Sequence, residues 1–183
     1  GGGADPQTGT FESFEDVLRY DPSFSGNVVV QIDGGATTEI PLSPETLNFG
    51  GRLFGGPEIT DAGAADKYNC AVIVSGAPEE VSDYCLISGG ARVELQAGEL
   101  ASVTGSSSVT ISRENFEVEK IVCGGCAVFG GTVSAYNDTT LTISSGVYHS
   151  VVCGGGAVGG KKNDTTPVTL NSYGGTSSLI ISG

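Results

Sequence analysis

The chain has 183 residues, 30 of them glycine, no Met or Trp, and a formal charge of -13. An acidic surface without a basic stripe repels nucleic acid and anionic membranes, and nucleic acid is set aside as a partner. Paired glycines exclude collagen, compact Val, Ile and Leu runs argue against disorder, and no apolar run approaches the roughly 20 residues that span a bilayer.

In chain order, "GGGADPQTG" at residues 1–9 is expected to be a flexible lead-in. In the following "TFESFEDVLRYDPS", Phe11, Phe14, Val17 and Leu18 fall on one helical face, Ser13 with Asp16 resembles a capping box, and Pro22 stands just past the end. This predicts one short helix within residues 10–22. No secretory leader precedes it, which fits either a cytoplasmic chain or a trimmed, mature one.

From residue 27 the period changes and does not return. "NVVVQIDGG", "YNCAVIVSG", "ARVEL", "SSVTIS", "TTLTISSG", "PVTLNSYGG" and "SSLIISG" are β-branched runs bounded by Gly, Asn, Asp or Ser, and each predicts a short strand. Several recur. "SVTIS" at 108–112 repeats as "TLTIS" at 140–144, and "IVCGGCAVFGG" at 121–131 repeats as "VVCGGGAVGG" at 151–160, with a weaker "CLISGGA" at 85–91. "GVYHSVVCG" at 146–154 aligns on "GTSSLIISG" at 175–183, and "NDTTLTIS" at 137–144 on "NDTTPVTLNS" at 163–172. A tag of two mostly apolar residues, one variable residue and Gly-Gly is therefore placed at Gly50, Gly89, Gly124 and Gly154, starting again at Gly183, at intervals of 39, 35, 30 and 29 residues.

Repeats of about 30 residues made only of strands and turns are the mark of a β-solenoid. The expectation is an all-β, right-handed parallel β-helix of about five coils, forming one domain over 10–183 with coils from 27 onward. Gly-Gly pairs would occupy corners, where φ is positive or backbones approach closely. An open stack exposes sheet edges, so the helix at 10–22 is expected to cap the first coil through Phe11, Phe14 and Leu18. The sequence stops at Gly183 in mid-repeat, which implies a further segment or a covered end.

The predicted helix followed by "GNVVVQIDGG" and "LNFGG" resembles the start of pectin-lyase-like right-handed parallel β-helix proteins. "TISSGVYHSVVCGGGAVGG" resembles the glycine-rich repeats of large adhesin-like surface proteins of gut-type bacteria, well over 108–183 and loosely over 28–107. The resemblance implies a secreted or cell-surface protein, part of a larger anchored chain, with adhesion or carbohydrate contact as its role and a carbohydrate or host surface protein as partner.

Four sets of residues compete for chemistry. "VVCGGGAVGGKK" satisfies G-x-G-x-x-G through Gly154, Gly156 and Gly159, and G-x-x-x-x-G-K through Gly155, Gly160 and Lys161. A phosphate loop needs Ser or Thr where Lys162 stands and a helix where a turn and a strand are predicted, so these read as corner glycines. Cys123, Cys126, His149 and Cys153 have the ligand types for tetrahedral zinc, but Cys123 and Cys153 fill a slot assigned to Ser88, Ser182 and Phe49 elsewhere, and His149 aligns with Ser178. Disulfides (Cys70 with Cys85, or Cys123 with Cys153) and packed free thiols stay equally open. Asp61 and Asp66, or Glu79, Glu80 and Asp83, are carboxylates for acid–base work on a glycosidic bond or for calcium, with Arg52, Lys67 and Arg92 as the nearby cations. Solvated loop charge explains them as well.

Tyr68, Tyr84, Tyr136, Tyr148 and Tyr173 are the tyrosines available to stack on sugar, and the sequons at Asn137 and Asn163 read as turns. No catalytic, cofactor-binding or metal residue is assigned, and no cofactor is expected. The leading expectation is a non-catalytic, adhesin-like surface module that binds glycans or host matrix. The alternative is a polysaccharide lyase or glycoside hydrolase, which needs Asp61, Asp66 and Arg92 in one groove.

Overall fold

The computed structural model describes residues 27–32, 51–63, 65–66, 68–159, 167–172 and 174–183. They form an all-β parallel solenoid. A first, partial turn holds β1 (Asn27–Ile32), β2 (Gly51–Phe54), β3 (Glu58–Ile59) and β4 (Ala65–Asp66). The next holds β5 (Asn69–Val74), β6 (Ser82–Ser88), β7 (Arg92–Glu94) and β8 (Leu100–Val103). Then follow β9 (Ser107–Ile111), β10 (Phe116–Cys123) and the long β11 (Ala127–Ala135). The last turn holds β12 (Thr139–Ile143), β13 (Val147–Tyr148), β14 (Val151–Cys153), β15 (Ala157–Val158) and β16 (Val168–Ser172), and β17 (Ser177–Ile181) starts another.

Strands at equivalent positions stack into three sheets, ordered β1-β5-β9-β12-β17, β2-β6-β10-β13 with β14 also on β10, and β3-β7-β11-β8-β4 with β15 and β16 also on β11. Every pairing is parallel. In the first sheet the register never slips: Val72, Val109, Leu141 and Leu179 form one column, and Val74, Ile111, Ile143 and Ile181 another. Alternation explains this, because a slip of one residue would turn every aliphatic side chain outward. Except for Leu179 and Ile181, which are exposed on the last strand, these columns meet Leu53, Ile87, Val122 and Phe116 of the second sheet in one core cluster. A second cluster, including Val93, Leu95, Val103, Val128 and Val133, fills the space lined by the third sheet.

About three complete turns are present among the described residues, with a partial turn on either side, in place of the expected five coils. Register leaves four corner tags, at Gly55, Gly89, Gly124 and Gly154, which bound three turns, because Gly183 follows a first-sheet strand. No helix occurs among the described residues. The lead-in at 1–9 and the capping helix expected at 10–22 lie outside them.

Each predicted strand is present, but three repeat alignments are corrected by register. Residues 177–181 pair with 139–143 in the first sheet, so "GTSSLIISG" does not align on "GVYHSVVCG", which belongs to the second. Ser178 accordingly faces Thr140, not His149. Val168–Ser172 pairs with Gly131–Ala135 in the third sheet, so it is not a copy of "TTLTIS". Leu53 and Phe54 pair with Ile87 and Ser88, which moves the earliest tag from Gly50 to Gly55 and its variable residue from Phe49 to Phe54. The stacked slot is thus Phe54, Ser88, Cys123 and Cys153, without Ser182.

The tag glycines do lie at the corner between the second and third sheets, and close approach is their reason. Gly89 N donates to Cys123 O at 2.9 Å, and Gly124 N donates to Cys153 O at 3.0 Å. A Cβ on Gly89 would stand 2.3 Å from Gly124 O and 2.9 Å from Ser108 O, inside backbone on two sides. Neither Gly89 nor Gly124 has positive φ.

Candidate functional site

The corner that the glycines permit folds the outer face of the second sheet toward the third. A pocket of about 370 Å³ opens there, within the size range of small-molecule sites. Leu86, Ile121 and Val151, stacked in register, supply one wall. Arg92, Phe129 and Val158 come from the third sheet. Leu86 and Ile121 with Cys123, Ala127 and Ala157 form a separate cluster, against which Phe54, Phe129 and Cys153 pack.

A widening bulge shapes the pocket. Between β2 and β6 the pairs are Gly51 with Tyr84 and Arg52 with Leu86, so Cys85 has no counterpart. Between β6 and β10 they are Tyr84 with Val118 and Leu86 with Ile121, so Glu119 and Lys120 stand against the single Cys85. The last turn matches the wider form, with His149 and Ser150 between Tyr148 and Val151. Extra residues on one strand bend it and re-aim its side chains, which brings Lys120 and Ser150 to the pocket.

The charge of the pocket runs against that of the chain. Arg52, Arg92 and Lys120 line it, three of the eight basic residues on a protein of formal charge -13. Arg92 is buried, with Nη2 3.0 Å from Glu94 Oε2 and Nη1 4.0 Å from Glu58 Oε1. Its guanidinium lies 4.7 Å from the centre of the Phe129 ring, a cation–π contact worth about 0.5–2 kcal/mol. Arg92 Nε is buried without a hydrogen-bond partner. Arg52 and Lys120 are exposed and form no ion pair with a described residue. Phe129 in turn leans on Gly159, where a Cβ would stand 2.6 Å from its Cε1.

The residues singled out from sequence divide as follows. Arg52 and Arg92 reach the pocket, while Asp61 is exposed in a turn and does not line it. Asp66 belongs to β4 in the third sheet, and Lys67 lies outside the described residues. Glu79 and Glu80 are exposed in the β5–β6 connection, whereas Asp83 is on β6 in register with Glu117. Tyr84 packs in the core, its ring 5.4 Å from Phe116, and burial raises its pKa, with the Arg113 charge opposing. Tyr68 is buried, Tyr136 is exposed, and Tyr148 donates to Ser145 O at 2.7 Å; none lines the pocket, and Tyr173 is outside the described residues. Asn137 stands in the bend before β12, and its Nδ2 donates to Gly105 O on the preceding turn of the stack, while Asn163 is outside the described residues.

The zinc set does not assemble. Cys123 and Cys153 are register partners and Cys126 belongs to the cluster under the third sheet, but His149 sits by Glu117 and Glu119. All five cysteines are free thiols. The hydrogen bond to Cys153, then burial, push the Cys123 thiol well up, and the same hydrogen bond draws Cys153 down. Gly154 and Gly156 are corner glycines whose missing Cβ would meet Ser178 O and the Leu170 side chain; Gly160, Lys161 and Lys162 are outside the described residues.

Sequence reasoning overlooked Lys120, Phe129 and Ser150 as pocket residues. One signal could have found the first: two residues separate the paired segments "FEV" and "IVC" where one separates "SDY" and "LIS". No family model, no curated protein and no solved structure matches this chain significantly.

Proposed function

We propose that this chain is a non-catalytic β-solenoid module of a secreted or cell-surface, adhesin-like protein, and that its corner pocket binds an anionic glycan. The observation that carries this is the concentration of Arg52, Arg92 and Lys120 in one pocket with the Phe129 ring, on an otherwise acidic molecule. Arg92, held by Glu94 and the ring, is preorganised and orients the aromatic wall. Arg52 and Lys120, free of carboxylate partners among the described residues, offer donors to a sugar carboxylate or sulfate. The apolar wall of Leu86, Ile121 and Val151 suits the C–H face of a pyranose ring.

A glycine-tagged stack that presents one face per turn also suits display on a surface, as the resemblance to adhesin repeats suggests. No carboxylate is among the described residues lining the pocket, which favours binding over lyase or hydrolase chemistry. A glycan array carrying uronate, sulfated, sialylated and neutral structures tests the reading. Retention of acidic glycans, lost in Arg52→Gln/Lys120→Gln, is expected. Retention of neutral glycans alone, or silence across the array, would overturn it.

A further inference from the structure

A second cluster lies on the outer face of the same sheet, before the bulge, and its chemistry is different. Glu117 and Glu119 alternate outward from β10, and His149, the only histidine of the chain, follows β13 on the next turn. Among the described residues these three form the only group whose potential metal-ligating atoms all lie within 4.8 Å of one another. His149 Nε2 is 3.6 Å from Glu117 Oε1 and 3.8 Å from Glu119 Oε1. Both distances are long for a hydrogen bond. They are close to the edge of a zinc tetrahedron, about 3.3–3.4 Å for ligands about 2.0–2.1 Å from the ion.

Asp83 adds a separate observation. It is the register neighbour of Glu117, and its Oδ1 is buried without a hydrogen-bond partner. A carboxylate oxygen kept from water beside another carboxylate is costly without a positive charge nearby. Lys120, beside Glu119 in sequence, lines the pocket beyond the bulge, and Arg113 lies close enough to act on Tyr84, the neighbour of Asp83.

We propose that Glu117, Glu119 and His149 bind a zinc-class divalent cation with one imidazole and two carboxylates, leaving one position open to water or an external ligand. Their side chains are 32, 40 and 44 % exposed, so the ion has a direct path in. Because Glu117 and Glu119 belong to one turn and His149 to the next, the ion ties the last turn to the body of the stack. The site is separate from the glycan pocket and does not depend on it.

Isothermal titration of ZnCl2 into chelator-treated full-length protein, with a thermal melt alongside, tests the proposal. Expected are one ion per chain and a Tm raised by zinc, because a cation that binds only the folded state stabilises it. His149→Ala and Glu119→Gln should each weaken binding by at least about tenfold and abolish the zinc-dependent rise. Cys123→Ser/Cys153→Ser should leave the affinity intact. No binding, affinity that survives His149→Ala, or affinity lost with the thiols would each overturn the assignment.

Discussion

Gly89 and Gly90 are consecutive residues of one corner tag, and the fold predicts opposite responses to the same added methyl. A Cβ at Gly89 meets Gly124 O at 2.3 Å, Ser108 O at 2.9 Å and Ser108 C at 3.0 Å. All three are backbone atoms, in the next turn and across the core, so no side-chain rotation relieves the clash. At Gly90 the nearest atoms are Gly125 C and Ser107 Oγ, both at 3.5 Å, which is ordinary contact. Overpacking in a rigid interior costs about 1–3 kcal/mol, and two-sided backbone contact places Gly89→Ala at about 3 kcal/mol or beyond. Gly90→Ala has no comparable clash and gains about 0.4–1 kcal/mol by restricting the unfolded chain. Urea titration of both variants, followed by circular dichroism, measures the difference as a shift in midpoint at constant slope. Equal midpoints, or a Gly90→Ala variant less stable than Gly89→Ala, would refute close stacking as the reason for the tag.

The coupled thiols predict an order of reactivity: Cys153, partly exposed and lowered in pKa by its hydrogen bond with Cys123, is alkylated first, and its rate rises at lower pH than for an ordinary thiol. Cys123, fully buried and raised, reacts only on unfolding; peptide mapping after timed iodoacetamide treatment reads both, and early modification of Cys123 would contradict the packing. Burial raises the Tyr148 hydroxyl pKa above the ordinary tyrosine value near 10. A group raised on folding contributes stability that is complete below its unfolded pKa and lost as pH rises through the folded one, so the Tm should fall from about pH 10 upward. In Tyr148→Phe that alkaline fall should shrink, while the lost bond to Ser145 O costs about 1 kcal/mol at neutral pH.

Much of the fold was legible in the sequence where a repeat preserved both pattern and phase. "SVTIS" and "TLTIS" fall in perfect register because alternating Val/Leu and Ile side chains must enter the same core columns. "IVCGG" and "VVCGG" do so because the Gly-Gly corner admits no Cβ at its first position. Errors arose where two sheets use the same vocabulary. "SSLII" is followed by a small residue and Gly as the second-sheet tag is, yet it fills first-sheet columns, and "VTLNS" imitates a first-sheet strand while pairing in the third. In "LNFGGRLFGG" the tag is doubled, and only pairing with Leu86–Ser88 selects the second copy. β8 was missed because "LASV" is short and begins with an exposed Leu.

The pocket was harder to read because it is built by register. Lys120 becomes a pocket residue through the bulge that separates Val118 from Ile121, and Phe129 through a fold between sheets that its neighbours in sequence do not announce. The Cys123, Cys126, His149 and Cys153 set, weighed for zinc but not assigned, is kept apart for the same reason. His149 and Cys153 are close in sequence, but the bulge sends the histidine back over β10 and leaves the thiol at the corner.

The measurement that tests the functional account most directly is a fluorescence-polarisation titration of a labelled oligouronate against its uncharged, esterified counterpart, at low and at physiological salt. The account predicts that the uronate binds, weakens with salt as charge contacts are screened, and is lost in Arg52→Gln/Lys120→Gln, while the ester binds weakly throughout. Binding of uronate and ester with equal affinity, or uronate binding unchanged in the double variant, would contradict it.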